Sequence, residues 1–162
     1  MRYEMTFETL AEHEGNALAR RCALEVAEQR GERYDPMLVL GPRATGKTHL
    51  LNAIAARVRE LRPEARVELL AAADFANDFI AAVSDRSVDE FRSRFAKADV
   101  LLLDGANSLA RKVGTQEQLE NLLAGRIESG RVTVVALPVP LSAVEQLRDR
   151  LAGGLAENVP QR

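Results

Sequence analysis

The chain is poor in the residues that would tie it to an oxidising compartment, a membrane or a bound metal. Its single cysteine, Cys22, leaves no internal disulfide to form, and within a helical stretch it reads as a small apolar filler. No apolar run approaches the roughly 18 residues of a membrane-crossing helix. The N-terminus lacks the basic-then-apolar pattern of a secretory signal, so a soluble, cytoplasmic protein is expected. Tryptophan is absent and aromatics make up only 4% of the chain, which leaves Leu, Val, Ala and Ile to build the core. A net charge of −2 excludes a global pull toward nucleic acid; only a local basic face stays open. His13 and His49 have no ligand spacing with Cys or acidic residues. Ser108 and Ser142 have no histidine partner, so a serine nucleophile is unsupported.

What is present is the makings of one ordinary α/β domain. The 162 residues, 46% apolar, are enough for a single packed core spanning 1–162. Residues 16–30 read as a helix. Met37-Leu38-Val39-Leu40 reads as a strand, and residues 65–71 as a second. A helix over 74–83 would carry Phe75, Phe79, Ile80 and Val83 on one side. Ser87-Val88-Asp89-Glu90 has the form of a capping box that starts a short helix with Val88, Phe91 and Phe95 inward. Val100-Leu101-Leu102-Leu103 is apolar throughout, as a parallel strand buried on both faces should be. Thr115-Gln116-Glu117-Gln118 is a second capping box, opening a helix that Gly130 ends. Residues 132–137 form a fourth strand, 142–151 a last helix closed by Gly153-Gly154, and 155–159 a weak fifth strand. Alternating strands and helices predict a three-layer αβα fold around a mostly parallel sheet of four to five strands.

The chemistry lies in Gly41-Pro42-Arg43-Ala44-Thr45-Gly46-Lys47-Thr48. This is the phosphate-gripping pattern of P-loop NTPases, placed as it must be between a strand and a helix. Glycines let backbone N–H groups curl around phosphates, Lys47 would reach the β- and γ-phosphates, and the Thr48 hydroxyl would hold Mg²⁺. The helix that follows carries Leu50, Leu51, Ile54, Val58 and Leu61 at helical spacing until Pro63 stops it. Its N-terminus favours the same anion. The candidate nucleotide-binding residues are therefore Gly41 to Thr48 with His49, and the cofactors are ATP or ADP with Mg²⁺.

A second element follows. Asp104 closes an apolar strand, the position of the acid that holds the Mg²⁺ hydration shell in P-loop NTPases; capping of the next loop is the plainer alternative. Many hydrolysing relatives carry another acid directly after it, to polarise the attacking water. Gly105 stands there, and Asn107 nearby can orient a water without accepting its proton. General-base assistance contributes about two to four orders of magnitude in rate, so binding with slow or absent hydrolysis is expected.

These residues together resemble the AAA+ domain of the bacterial replication initiator DnaA and its shorter relatives of the Hda type. The likeness covers nearly the whole chain. It runs through Thr6-Phe7-Glu8 and Gly15-Asn16, Gly46-Lys47-Thr48-His49-Leu50, Asp78-Phe79-Ile80 with Asp89-Glu90-Phe91-Arg92, Asp99 to Asp104, Gly114-Thr115-Gln116-Glu117, and Asp149-Arg150-Leu151. The resemblance implies adenine recognition by segments around Leu10–Asn16 and Tyr34–Met37, where the match is loose. It also shows departures. The second acid is Gly105, the polar sensor ending the fourth strand falls at Pro138, and the arginine finger falls near Gly154. Arg150 is kept, without that role being moved to it. A helical lid and a helix-turn-helix DNA-binding domain have no residues after Arg162 and are expected to be lacking.

The resemblance implies a nucleotide-binding regulator acting through a protein partner: DnaA, the replication clamp or another AAA+ protein. No clamp-binding peptide is evident in Met1 to Phe7. The alternative is a degenerate AAA+ fold serving as an interaction or scaffold module without nucleotide; a working ATPase assembled as a filament is a third reading. Arg111 and Lys112 fall where the family touches single-stranded DNA, as does Ile80. Two cations make a short contact, and a solvated loop, with Ile80 in the core, is the bland reading. Arg57, Arg59, Arg62 and Arg66 read as a solvent face with ion pairs, and Arg92, Arg94 and Lys97 could extend a basic edge.

Overall fold

The computed structural model describes residues 4–14, 16–29, 36–41, 46–109 and 111–138, and the backbone of 157–158. Its elements run α1 (Ala17–Ala27), β1 (Met37–Gly41), α2 (Lys47–Leu61), β2 (Val67–Ala71), α3 (Ala72–Ser84), α4 (Val88–Ala96), β3 (Val100–Asp104), α5 (Val113–Glu128), β4 (Val132–Pro138) and β5 (Glu157–Asn158), with a 3₁₀ turn at Ala106–Leu109. The five strands form one sheet in the order β2-β3-β4-β1-β5, and every pairing is parallel. Parallel neighbours need crossover helices, and these cover both faces.

The strand residues divide cleanly between those faces. Met37, Val39, Val100, Leu102, Val134 and Ala136 point into a core with α1 and α2, where Cys22, Leu51, Ile54 and Val58 are buried. Leu38, Leu40, Leu101, Leu103, Val135 and Leu137 point into a second core with α3, α4 and α5. The predicted three-layer αβα architecture is therefore the observed one. Cys22 is a buried free thiol, as a filler should be. The few aromatics are concentrated: Phe75, Phe79, Phe91 and Phe95 join α3 to α4 through ring centroids 4.9 to 5.6 Å apart.

Several local expectations fail for identifiable reasons. The Thr115 capping box does not start a helix: α5 begins at Val113, Thr115 is buried in its first turn, and Lys112 stands at the N-cap. Ser87 does precede α4, but its side chain makes no capping hydrogen bond. Ile80 is 58% exposed and Val83 53% exposed, against the expected apolar face of α3. That helix packs through the expected Phe75 together with three small side chains, Ala72, Ala76 and Ala82. Leu61, at the end of α2, is exposed as well. β2 begins at Val67 and is half-buried, because it is the sheet edge. Gly130 follows α5 with φ +70°, the left-handed conformation that stops a helix there. The helix expected over 142–151, and Arg150, Gly153 and Gly154, lie outside the described residues.

Of the basic stretch, Arg57 pairs with Glu28 and Glu60 at 3.2 and 3.1 Å. Within the expected basic edge Arg94 itself is neutralised: its guanidinium reaches Glu68 at 3.0 Å and Asp78 at 3.4 Å.

Candidate functional site

In an all-parallel sheet every strand ends at the same edge, and loops there converge on whatever the fold binds. Gly41 ends β1, Asp104 ends β3 and Pro138 ends β4, with Gly41 and Pro138 paired in register. The chain then returns as α2, whose first residue is Lys47. Gly46 just before it has φ +91°, a conformation costly for any residue with a side chain. Of the predicted phosphate loop, Pro42, Arg43, Ala44 and Thr45 lie outside the described residues.

Lys47 is 8% exposed and its Nζ donates a hydrogen bond to the Gly41 carbonyl at 2.7 Å. Burial pushes its ammonium below the usual lysine range, and the nearby Asp104 carboxylate opposes that shift. The Thr48 hydroxyl donates to Asp104 Oδ2 at 2.6 Å, so the two predicted magnesium ligands meet directly across the sheet edge. The plainer role for Asp104, capping the next loop, is not what its side chain does.

These groups line a cavity of about 460 Å³, closed by Met5, Gly46, His49, Gly105, Asn107 and Pro138. That volume falls in the range of small-molecule sites, about 300–1,000 Å³. Gly105 has φ +70°, and a side chain placed there would first meet Asn107 Oδ1 at 3.9 Å. The position has space for a Cβ, but its left-handed backbone would strain any side chain placed there. Pro138 brings no hydrogen-bonding side chain to the cavity wall. Arg111 and Lys112 are exposed at the start of α5 and do not line this cavity.

His49 ties α2 to the N-terminal segment. Its Nε2–H donates to the Thr6 carbonyl at 2.8 Å and lies 3.1 Å from Thr9 Oγ1, which itself donates to Glu4 O at 2.6 Å. Asn16 fixes the same segment from α1: its Oδ1 accepts from the His13 amide at 3.0 Å and its Nδ2 donates to Ala11 O at 2.9 Å. Met5 is thereby held over the cavity mouth. The periodicity of α2 gives no hint of these partners, because they lie forty residues away in the chain.

One buried group went unread in the sequence. Arg126, 1% exposed, donates Nη1 to the carbonyls of Phe95 and Ala98 at 2.7 Å each, Nη2 to Val132 O at 2.6 Å and Nε to Thr133 Oγ1 at 2.8 Å. It pins the carboxyl end of α4 to the start of β4, where a cation also suits the helix dipole.

Comparison with known proteins agrees with this fold. The family model of the bacterial DnaA ATPase domain matches residues 1–159. The chromosomal replication initiator DnaA of Levilactobacillus brevis is 34% identical over 151 residues, covering 93% of this chain and 33% of that protein. DnaA of Thermomicrobium roseum is 34% identical over 158 residues, covering 95% and 34%. Among solved structures, AMPPCP-bound DnaA of Aquifex aeolicus superposes with a TM-score of 0.89 at 28% identity, over 99% of this chain and 51% of that one. Domain III of Thermotoga maritima DnaA gives 0.89 at 31% identity, over 98% and 68%. The DnaC helicase loader, at 14% identity and a TM-score of 0.79, shares the fold. The chain spans about a third of the length of the curated relatives it matches. A P-loop lysine, an acid ending the third strand and a family match over nearly every residue make this chain a member of the bacterial DnaA ATPase-domain family.

Proposed function

We propose that the chain binds ATP or ADP with Mg²⁺ in the cavity between α2 and the ends of β1, β3 and β4, hydrolyses it slowly or not at all, and acts as a regulator through protein contacts. The observation that carries the reading is the buried Lys47 ammonium beside the Thr48–Asp104 pair, at one cavity. The lysine is held at the cavity by the Gly41 carbonyl with the Asp104 carboxylate nearby, and a phosphate chain is the ligand this loop pattern fits. Gly41 to His49 would wrap the phosphates, with Lys47 on the β- and γ-oxygens. Thr48 and Asp104 would hold Mg²⁺, which keeps several of its waters and so needs few protein ligands. The ion would neutralise phosphate charge. The Aquifex relative was solved with AMPPCP, which supports an adenine nucleotide.

The wall opposite Thr48 supports slow turnover. Gly105 offers no carboxylate to take a proton from water, Asn107 can only orient one, and Pro138 brings no donor to a γ-phosphate. The finger position near Gly154 carries no arginine either, and fingers are worth about three to five orders of magnitude in turnover. A regulator that holds its nucleotide would signal by the bound state, to DnaA, the replication clamp or another AAA+ protein. A scaffold with no nucleotide has one observation in its favour: Thr48 and Asp104 are bonded to each other. Hydrolysis by wild type and Lys47→Ala at high protein concentration tests the reading. Equal, near-background rates are expected, with Mg²⁺–ATP raising the melting temperature of wild type alone. Turnover far above the variant's would refute the slow-hydrolysis claim, and no thermal shift would favour the scaffold.

A further inference from the structure

A second concavity, of about 450 Å³, lies between α4 and α5, away from the nucleotide cavity. Its floor is Phe91, Leu122 and Gly125, and its rim carries Arg92, Lys97 and Arg131. Lys97 and Arg131 stand just before β3 and β4, at the sheet edge opposite the one where Asp104 and Pro138 lie. No carboxylate lines the groove among the described residues. Asp89 and Asp99 stand behind Arg92 and Arg131 at 4.0 and 3.9 Å, outside it. Arg92 Nε donates to Gln118 Oε1 at 3.0 Å, and Arg131 Nη1 to the Lys97 carbonyl at 2.9 Å, so the rim is held in place from both helices.

Gly125 is the telling residue. It sits inside α5, where glycine weakens a helix relative to alanine. A Cβ there would meet nothing within 4 Å, and the backbone is ordinary helix, so neither packing nor conformation within the fold asks for glycine. Its effect is to deepen the groove.

We infer that this groove docks an acidic amphipathic helix from a partner protein. An apolar floor with a cationic rim complements a helix carrying apolar side chains at i, i+4 and i+7 among carboxylates. This fits a chain whose net charge is −2 yet whose groove is lined by three cations and, among the described residues, no carboxylate. The floor disfavours nucleic acid, because its only ring, Phe91, is 8% exposed and offers no stacking platform. The inference is independent of nucleotide binding.

The test is fluorescence anisotropy with a labelled helical peptide bearing leucines at i, i+4 and i+7 and glutamates around them. Saturable binding is expected, weakened about tenfold or more when the glutamates become lysines or the leucines alanines. In the protein, Arg92→Glu with Lys97→Glu, both exposed, should weaken binding about tenfold at unchanged melting temperature. Gly125→Phe should fill the groove and abolish binding, and Gly125→Ala should raise the melting temperature and show the site folded. Equal binding of the lysine peptide, or of the double-charge variant, would overturn the proposal. So would a probe displaced by single-stranded oligonucleotide and indifferent to loss of its leucines, which would make the face a polyanion surface.

Discussion

Replacing Arg126 by methionine should come close to unfolding the domain. The substitution keeps an unbranched apolar stem and removes the guanidinium. Four buried acceptors then lose their donor: the carbonyls of Phe95, Ala98 and Val132, and Thr133 Oγ1. Each buried acceptor left unsatisfied costs about 1–3 kcal/mol. Four such acceptors come to about 4–12 kcal/mol; the desolvation of a buried cation that the variant escapes offsets part of this, and a net loss of about 3–6 kcal/mol is expected. A domain has only about 5–15 kcal/mol in total, and at this length each kcal/mol moves the melting temperature by roughly 2–4 °C. Urea unfolding followed by far-UV circular dichroism should therefore show a midpoint lowered by a third or more, and thermal unfolding a drop of about 10–20 °C. Arg126→Lys should fall between, since one ammonium cannot span the fork, and Thr133→Val should lose about 1 kcal/mol. A loss below about 1 kcal/mol for Arg126→Met would show that water satisfies these carbonyls and that the arginine is not the pin it looks like.

Three other outcomes follow from the same geometry. The Lys47 ammonium is shifted down by burial, so its stabilising contribution is present above the unfolded lysine pKa and lost as pH falls through the folded value; unfolding free energy of wild type relative to Lys47→Met should rise as pH approaches 10.5, and a flat difference would contradict the burial argument. Gly105→Asp places a carboxylate at φ +70° and should cost about 1 kcal/mol, with hydrolysis still near background because Pro138 and the finger position are unrepaired; a hundredfold rise in turnover would show that the second acid alone was missing. Arg94→Ala breaks exposed pairs with Glu68 and Asp78 and a stack on Phe95 at 4.7 Å, so its cost should stay below about 1 kcal/mol and part of it should vanish in high salt.

Lys47, Thr48 and Asp104 were singled out in the sequence because a phosphate-binding pattern fixes both residue type and spacing. Thr48 and Asp104 are hydrogen-bonded and line one cavity with Lys47, and the apolar runs ending at Leu40 and Leu103 are strands buried on both faces. What pattern alone could not supply was distance along the chain. Arg126, between Gly125 and Ile127, reads like any solvated helix cation, and only the fold brings Phe95 O and Val132 O to it. The partners of His49 are hidden the same way. Ile80 misled because apolar periodicity marks a face without its depth; α3 seats its alanines on the sheet and leaves the larger side chain out. Thr115 misled because its pattern with Gln118 also fits inside a helix: α5 has already begun at Val113, Thr115 is buried, and Gln118 Oε1 accepts from Arg92.

The central claim is that the cavity around Lys47 still grips a magnesium nucleotide. Equilibrium titration of fluorescent ATP and ADP, with and without Mg²⁺, against wild type and Lys47→Ala tests it directly. Saturable, Mg²⁺-strengthened binding to wild type that the variant loses is the predicted result, and at a hundred times the dissociation constant it should add about 2.7 kcal/mol to stability. Binding absent from wild type, or equal in the two proteins, would contradict it.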